Sequence, residues 1–233
     1  EDVIGVDFRQ RPFVVQGSET TVRADAVIIA TGATAKRLDI PGTRDGELWG
    51  KGVSACAVCD GSLPIFAGKR LFVIGGGDTA MEEALFLTKF ASRVFIVHRR
   101  DQFRASKVMQ ERVLNHPKIE IIWNHVISAV HGDNVVESVT IEQVTTQMKQ
   151  TLSAGGVFFA IGHTPNTAFL NHQIELTPNG YIKLQSPGSS HTNIPGVFAA
   201  GDVHDSKYRQ AVTAAGYGCR AALDAERYLM ENA

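Results

Sequence analysis

KRLFVIGGGDTAMEEALFLTKFASRVFIVHRR, residues 69–100, reads as strand, glycine turn, helix, strand. The apolar run from Leu71 to Ile74 has no polar alternation, as expected of a parallel strand covered on both faces. Ala80, Ala84 and Leu87 follow at spacings that share one helical face, and Arg93 to Val97 supplies a second apolar strand. Two parallel strands need a crossover, and a helix is the usual one. The stretch therefore predicts a βαβ unit and places the chain in the α/β class.

The turn itself, GGGDTA at 75–80, fits G-x-G-x-x-A. Gly75 and Gly77 let the backbone turn tightly and approach a pyrophosphate, and Ala80 allows the helix to pack close to the strand. Asp78 and Thr79 open the helix, whose N-terminus offers unpaired N–H groups to phosphates. A plain connecting turn is the competing reading, and the strand-turn-helix context weighs against it. An NAD site expects Asp or Glu about 20 residues further on, to bind the ribose 2′-hydroxyl. Here that place holds His98, Arg99 and Arg100, with Arg104 one helical turn beyond. Cations suit a 2′-phosphate, which a guanidinium can grip at two oxygens, so the nucleotide read is NADPH. Asp101 weakens the cluster slightly, and a solvated charge run is the alternative.

Upstream, PFVVQ at 12–16 and TTVRADAVIIA at 20–30 read as a short hairpin followed by a buried strand that ends at ATG, 30–32. Residues 33–52 mix glycine, proline and charge without periodicity, as a connection between domains does. Downstream, a helix is expected from about residue 104 to 115, then the strands KIEIIW, VISAVHG, VVESVTIEQV and GVFFAIG. GHTPNT at 162–167 marks a second crossing between domains, and YIKL and VFAAGDV precede an amphipathic helix over about 208–230. The expected domains are 1–36, 37–163 and 164–233, the first and last being pieces of one domain.

At 233 residues, 44% of them hydrophobic, the chain can bury a substantial core. A formal net charge of -1, from 23 basic and 24 acidic residues, supplies no global field for nucleic acid or membrane. No apolar run approaches the roughly 18 to 20 residues of a spanning helix, and no signal peptide is evident. A reducing, cytoplasmic setting is expected.

Two of the three cysteines stand together in CAVCDG, 56–61. Structural zinc needs four ligands, and neither a second C-x-x-C nor a spaced histidine pair accompanies this one, so no metal is assigned. Inert packed cysteines remain possible. A redox pair is the reading the residues favour, with the Asp60 carboxyl beside Cys59 as a proton carrier. NADPH and a dithiol normally exchange electrons through a flavin.

These residues together resemble the low-molecular-weight NADPH-dependent thioredoxin reductases over essentially the whole chain. CAVCDG looks like that family's redox pair and its following acid, GGGDTAMEEA and HRRDQFRAS like its NADPH motifs, and ATG, GHTPN, FAAGDV and RQAVTAAGYGC like its hinge and flavin-contacting segments. The resemblance implies a Rossmann-like, three-layer ββα NADPH domain with part of an FAD-binding domain, in the two-dinucleotide-binding-domain flavoprotein type. Cys59 would face the flavin, Cys56 would attack the thioredoxin disulfide, and Asp60 would move the proton. Ile161 and Gly162 would join the NADPH site. Thr31, Gly32, Gly201 and Asp202 would hold FAD, with Arg209, Gln210 and Ala211 along its ring. Family members are homodimers in which the NADPH domain swings about two hinges.

The family's first βαβ, with its own glycine motif for FAD, has no counterpart in the sequence, and roughly 100 residues are expected to be missing before Glu1. On that expectation the chain alone holds FAD weakly and is weakly active or inactive. Two other readings share the motifs: the flavoprotein disulfide reductase component of a peroxidase system, and a non-catalytic NADP-binding module.

Overall fold

The computed structural model describes residues 1–232 and falls into two units, one of Ala35–Gly162 and one of Glu1–Thr34 together with the chain from His163 onward. The second unit opens with an antiparallel sheet, β1 (Val3–Asp7), β2 (Phe13–Gly17) and β3 (Thr21–Ala24), in that order. The run expected as one strand over 20–30 breaks at Asp25 and Ala26. Its first half pairs with β2, whereas β4 (Val27–Ile29) runs parallel to a segment near residue 198. Ile29 is buried, but Ile28 is 40% exposed, because alternate residues of a strand face opposite sides and only one side of β4 is covered. β5 (Ala33–Ala35) then carries the chain out of this unit.

The unit Ala35–Gly162 contains β6 (Val53–Ser54), the single turn α1 (Ala57–Asp60), β7 (Arg70–Ile74), α2 (Asp78–Leu87), β8 (Arg93–His98), α3 (Lys107–Leu114) and β9 (Ile119–Trp123). An antiparallel sheet of β10 (His125–His131), β11 (Ser138–Gln143) and β12 (Lys149–Ser153) follows, then β13 (Gly156–Phe159). The central sheet is parallel, ordered β6-β13-β7-β8-β9. Leu71 and Val73 face the helices, packing with Ala80, Ala84 and Leu87 of α2. Phe72 and Ile74 face the antiparallel sheet, packing with Ile127, Val139 and Ile141. The unbroken apolar run of β7 is thus explained by cover on both sides, and the three layers are sheet, sheet and helices. Each such side chain taken fully from water contributes about 1.5–3 kcal/mol.

α3 starts at Lys107, three residues later than expected: the Arg104 and Ala105 N–H groups donate to the Gly76 carbonyl, and Ser106, with ψ 146°, is extended, so the helix begins only after it. β14 (His163–Pro165) returns the chain to the other unit, where β15 (Val197–Ala199) pairs with β4 and α4 (Ala211–Glu231) closes the described chain. α4 also begins late: Arg209 has a left-handed φ of 47°, and Gln210 and Thr213 form a capping box that sets the helix start. YIKL forms no strand, only a bridge between Ile182 and Leu176. Phe13, Ile29, Leu170, Ile182 and Val197 make the core of this unit.

Candidate functional site

Three arrangements of side chains bear on function, two in the unit Ala35–Gly162 and one in the other. The first is a cavity of about 400 Å³ at the carboxyl end of β7 and β8. Gly75 turns there with φ 155°, and a Cβ on it would lie 2.5 Å from the Ala160 carbonyl oxygen and 2.8 Å from the Ala80 Cβ. Ala80 is fully buried and acts as the close-packing residue beneath the turn rather than as a wall. Gly77 caps α2 with open space where a side chain would stand. Gly75, Gly77, Thr79, Ile161 and Gly162 all line the cavity, as do Arg99 and Arg104. Arg100 does not, and Asp78 turns its carboxylate to Ser106 instead. Among the described residues no carboxylate pairs with Arg99, Arg100 or Arg104.

His98 also borders the cavity but is buried, with Nε2 3.0 Å from the Gln102 carbonyl. Burial pushes its pKa below the ordinary value, hydrogen bonds to Gln102 and Gly75 oppose this, and Arg100 and Arg104 reinforce it. The ring braces the glycine turn from beneath while one edge borders the cavity.

The second arrangement follows β6. Cys56 and Cys59 are joined in a disulfide with an S–S distance of 2.05 Å, and Cys56 caps α1 by accepting the Cys59 N–H at 3.2 Å. Cys59 is exposed and Cys56 half-buried. The Cys56 N–H donates to Ser54 Oγ at 3.1 Å, and the Ser54 hydroxyl donates to Asp60 Oδ2 at 2.5 Å. Among the described residues no group of three or more histidine, cysteine or acidic side chains converges as metal ligands. Cys219 is free and exposed on α4.

The third lies in the other unit, where a cavity of about 260 Å³ is floored by small residues, Ala30, Gly32, Ala200, Gly201 and Ala214 among them. Asp202, Arg209, Gln210 and Ala211 stand on its wall. Burial raises the Asp202 pKa, the Asp205 charge raises it further, and Arg209 opposes both. Thr31 does not line this cavity. Its hydroxyl donates to the Asn166 carbonyl at 2.7 Å, and its own carbonyl accepts from Asn166 Nδ2 at 2.8 Å.

Residues 1–218 match the family model of pyridine nucleotide-disulphide oxidoreductases. The chain is 58% identical over 229 residues to a thioredoxin reductase of Chlamydia pneumoniae, covering 98% of itself and 73% of that protein. It is 55% identical over 236 residues to thioredoxin reductase 2 of Arabidopsis thaliana, covering 99% of itself and 61% of that protein. The chain belongs to the thioredoxin reductases of this family. Its fold matches the thioredoxin reductase from Giardia duodenalis with a TM-score of 0.89 at 50% identity, covering 98% of this chain and 74% of that one.

For a thioredoxin reductase, three parts of this structure escaped the sequence reading. Ser54 joins Asp60 to the cysteine loop, Ser106 holds Asp78, and Asp205 accepts the Lys207 and Tyr208 N–H groups at 2.9 and 3.0 Å. Burial pushes the Asp205 carboxyl up, but the backbone donors outweigh it and hold the pKa below the ordinary value. No motif marks a serine that acts on a distant carboxylate. The only available signal was proximity to a marked residue, two positions before Cys56 for Ser54.

Proposed function

We propose that this chain supplies the Cys56–Cys59 disulfide of a reductase that passes reducing equivalents from NADPH, through FAD, to that pair and from there to thioredoxin; by itself, spanning 73% of the Chlamydia pneumoniae relative, it would hold FAD weakly and be weakly active or inactive. The observation that carries the reading is the bonded cysteine pair with a carboxyl group held beside it, in the same unit as a glycine-lined, arginine-edged cavity. NADPH fits that cavity: Gly75, Gly77 and Thr79 would take the pyrophosphate, Arg99 and Arg104 the 2′-phosphate, and Ile161 and Gly162 the remaining wall. The second cavity would take part of FAD: its glycine and alanine floor would lie against the flat ring, with Asp202, Arg209 and Gln210 offering polar groups and Ala211 completing the wall. When bound, FAD would supply the two-electron relay between nicotinamide and sulfur.

Reduction of the disulfide takes two electrons and two protons and yields two thiols. Asp60, beside the pair, is the group we assign to carry a proton to and from it. A Cys56 thiolate then attacks the thioredoxin disulfide, forming a mixed disulfide and releasing one thioredoxin thiolate. Cys59 attacks Cys56 in turn, restoring the bond and releasing reduced thioredoxin. The same reading includes a homodimer and a cytoplasmic setting. Among the described residues no helix is long and apolar enough to cross a membrane.

The test is capture. A Cys59→Ser protein should displace the leaving group from a thioredoxin carrying a single activated cysteine and retain it as a mixed disulfide through Cys56. A Cys56→Ser protein should capture at least about tenfold less, since Cys59 serves the internal step, with both variants made in a Cys219→Ser background because Cys219 is free and exposed. Equal capture by both variants would remove the assignment of roles, and no capture by either would remove the partner.

A further inference from the structure

We propose that Asp78 is a positioning residue for nucleotide choice: through Ser106 it holds the arginine-bearing segment 99–106 against the glycine turn, at the separation that a 2′-phosphorylated dinucleotide requires. This rests on the NADPH reading above and assigns Asp78 a role other than contact with the nucleotide.

Three ties join the two segments. The His98 ring occupies the place where a Cβ on residue 76 would fall, 2.2 Å from that position, and its Nε2 meets the Gln102 carbonyl. The Gly76 carbonyl accepts the Arg104 N–H at 2.8 Å and the Ala105 N–H at 3.1 Å. One oxygen of Asp78, Oδ1, accepts both the N–H and the hydroxyl of Ser106, each at 2.8 Å. The first two ties are built from backbone and a buried ring. The third is made by exposed side chains at the point where α3 begins.

Its consequence follows from where the arginines stand. Arg99 and Arg104 line the cavity, are exposed, and have no acidic partner among the described residues, so the backbone that carries them decides where their guanidinium groups can reach. Bidentate binding of a phosphate is geometrically strict, and a displacement of about 1 Å in a positioning element can cost a hundredfold. The pyrophosphate end is less dependent on this tie, because Gly75 and Gly77 are set by β7 and α2. Loosening Asp78 should therefore affect recognition of the 2′-phosphate far more than recognition of the rest of the nucleotide. A carboxylate this close to an anion site would repel the ligand if it pointed into the cavity. It does not line the cavity, and two donors hold it.

Calorimetric binding of adenosine 2′,5′-bisphosphate and of 5′-AMP measures the preference without turnover. Asp78→Ala should reduce the preference for the bisphosphate about tenfold while 5′-AMP stays within about twofold, the loss of two hydrogen bonds to a charged acceptor being ample for this. Asp78→Asn, which keeps an acceptor oxygen, should recover the preference to within about threefold of the original. Ser106→Ala, which keeps the amide donor, should fall between, and it tests the same tie from the other side should Asp78→Ala not fold. Equal weakening of both probes would overturn the proposal, as would an unchanged ratio or an asparagine variant no better than alanine. An original protein with no preference for the bisphosphate would instead reject the NADPH reading itself, and the proposal with it.

Discussion

Ser54 and Asp60 are joined by a 2.5 Å hydrogen bond, hydroxyl to Oδ2, while the same Ser54 oxygen accepts the Cys56 N–H at 3.1 Å. One buried hydroxyl thereby fixes the Asp60 carboxyl and the first cysteine relative to each other. Ser54→Ala removes both contacts and leaves the half-buried Cys56 amide without its acceptor. The rate at which excess dithiothreitol reduces the Cys56–Cys59 bond should fall about tenfold, with an altered pH profile, since positioned proton transfer is worth about a hundredfold or more when intact. An unchanged rate and profile would show that Asp60 does not serve the disulfide.

The arginines should not contribute equally. Arg99 and Arg104 line the cavity at the carboxyl end of β7 and β8, and Arg100 does not. Replacing Arg99 or Arg104 with alanine should weaken NADPH about tenfold or more with little change for NADH, whereas Arg100→Ala should cost about threefold or less. Fluorescence titration of both nucleotides checks this. Loss of NADPH and NADH affinity in parallel would mean that these side chains serve the pyrophosphate instead.

Phe72 is fully buried and stacks on Phe95 with ring centroids 4.9 Å apart. It lies on the face of the parallel sheet covered by β10 to β12, so Phe72→Ala should open a cavity between the two sheets. Unfolding of the unit Ala35–Gly162 should become easier by about 3–5 kcal/mol, seen as an earlier urea transition. A loss below about 1 kcal/mol would mean that the antiparallel layer collapses onto the gap.

Acid should destabilise the fold through two histidines. Burial lowers the pKa of both His98 and His204 below the ordinary value of 6.5. Around His204, Asp205 opposes the shift and Arg220 adds to it. The unfolded chain takes up protons at these positions before the folded one does. Their contribution to stability is therefore complete above about pH 6.5 and is lost as pH falls toward the depressed folded values. Thermal melts at about pH 7.5 and 5.5 should show a lower Tm in acid, and His98→Gln should recover part of the difference. A Tm that is flat or rises on acidification would contradict the sign.

Much of the architecture was legible because it rests on period and local chemistry. The unbroken apolar run of β7, the shared face of Ala80, Ala84 and Leu87, and the glycine turn between them each express a local constraint, and the structure places them as a βαβ unit. Where expectation and structure part, a distant partner is responsible. Residues 104–106 look helical until they are drawn to the Gly76 carbonyl and the Asp78 carboxylate with Ser106 extended, and residues 20–30 look like one strand until β3 and β4 pair in different sheets.

The same division runs through the site. Sequence alone determined that residues 56 and 59 form a C-x-x-C pair followed by an acid, that residues 75–80 form a G-x-G-x-x-A turn after an apolar strand, and that arginines follow the second strand, because all three depend on residue type and near-neighbour spacing. Only the tertiary structure decided that His98 is a buried brace, that Asp78 reaches Ser106 across 28 positions, and that Ser54 links Asp60 to Cys56. A side chain's polarity can be read from its letter, but its hydrogen-bond partner depends on which backbone the packed core brings within 3 Å, and that distance is set by the whole unit rather than by the neighbours in the chain.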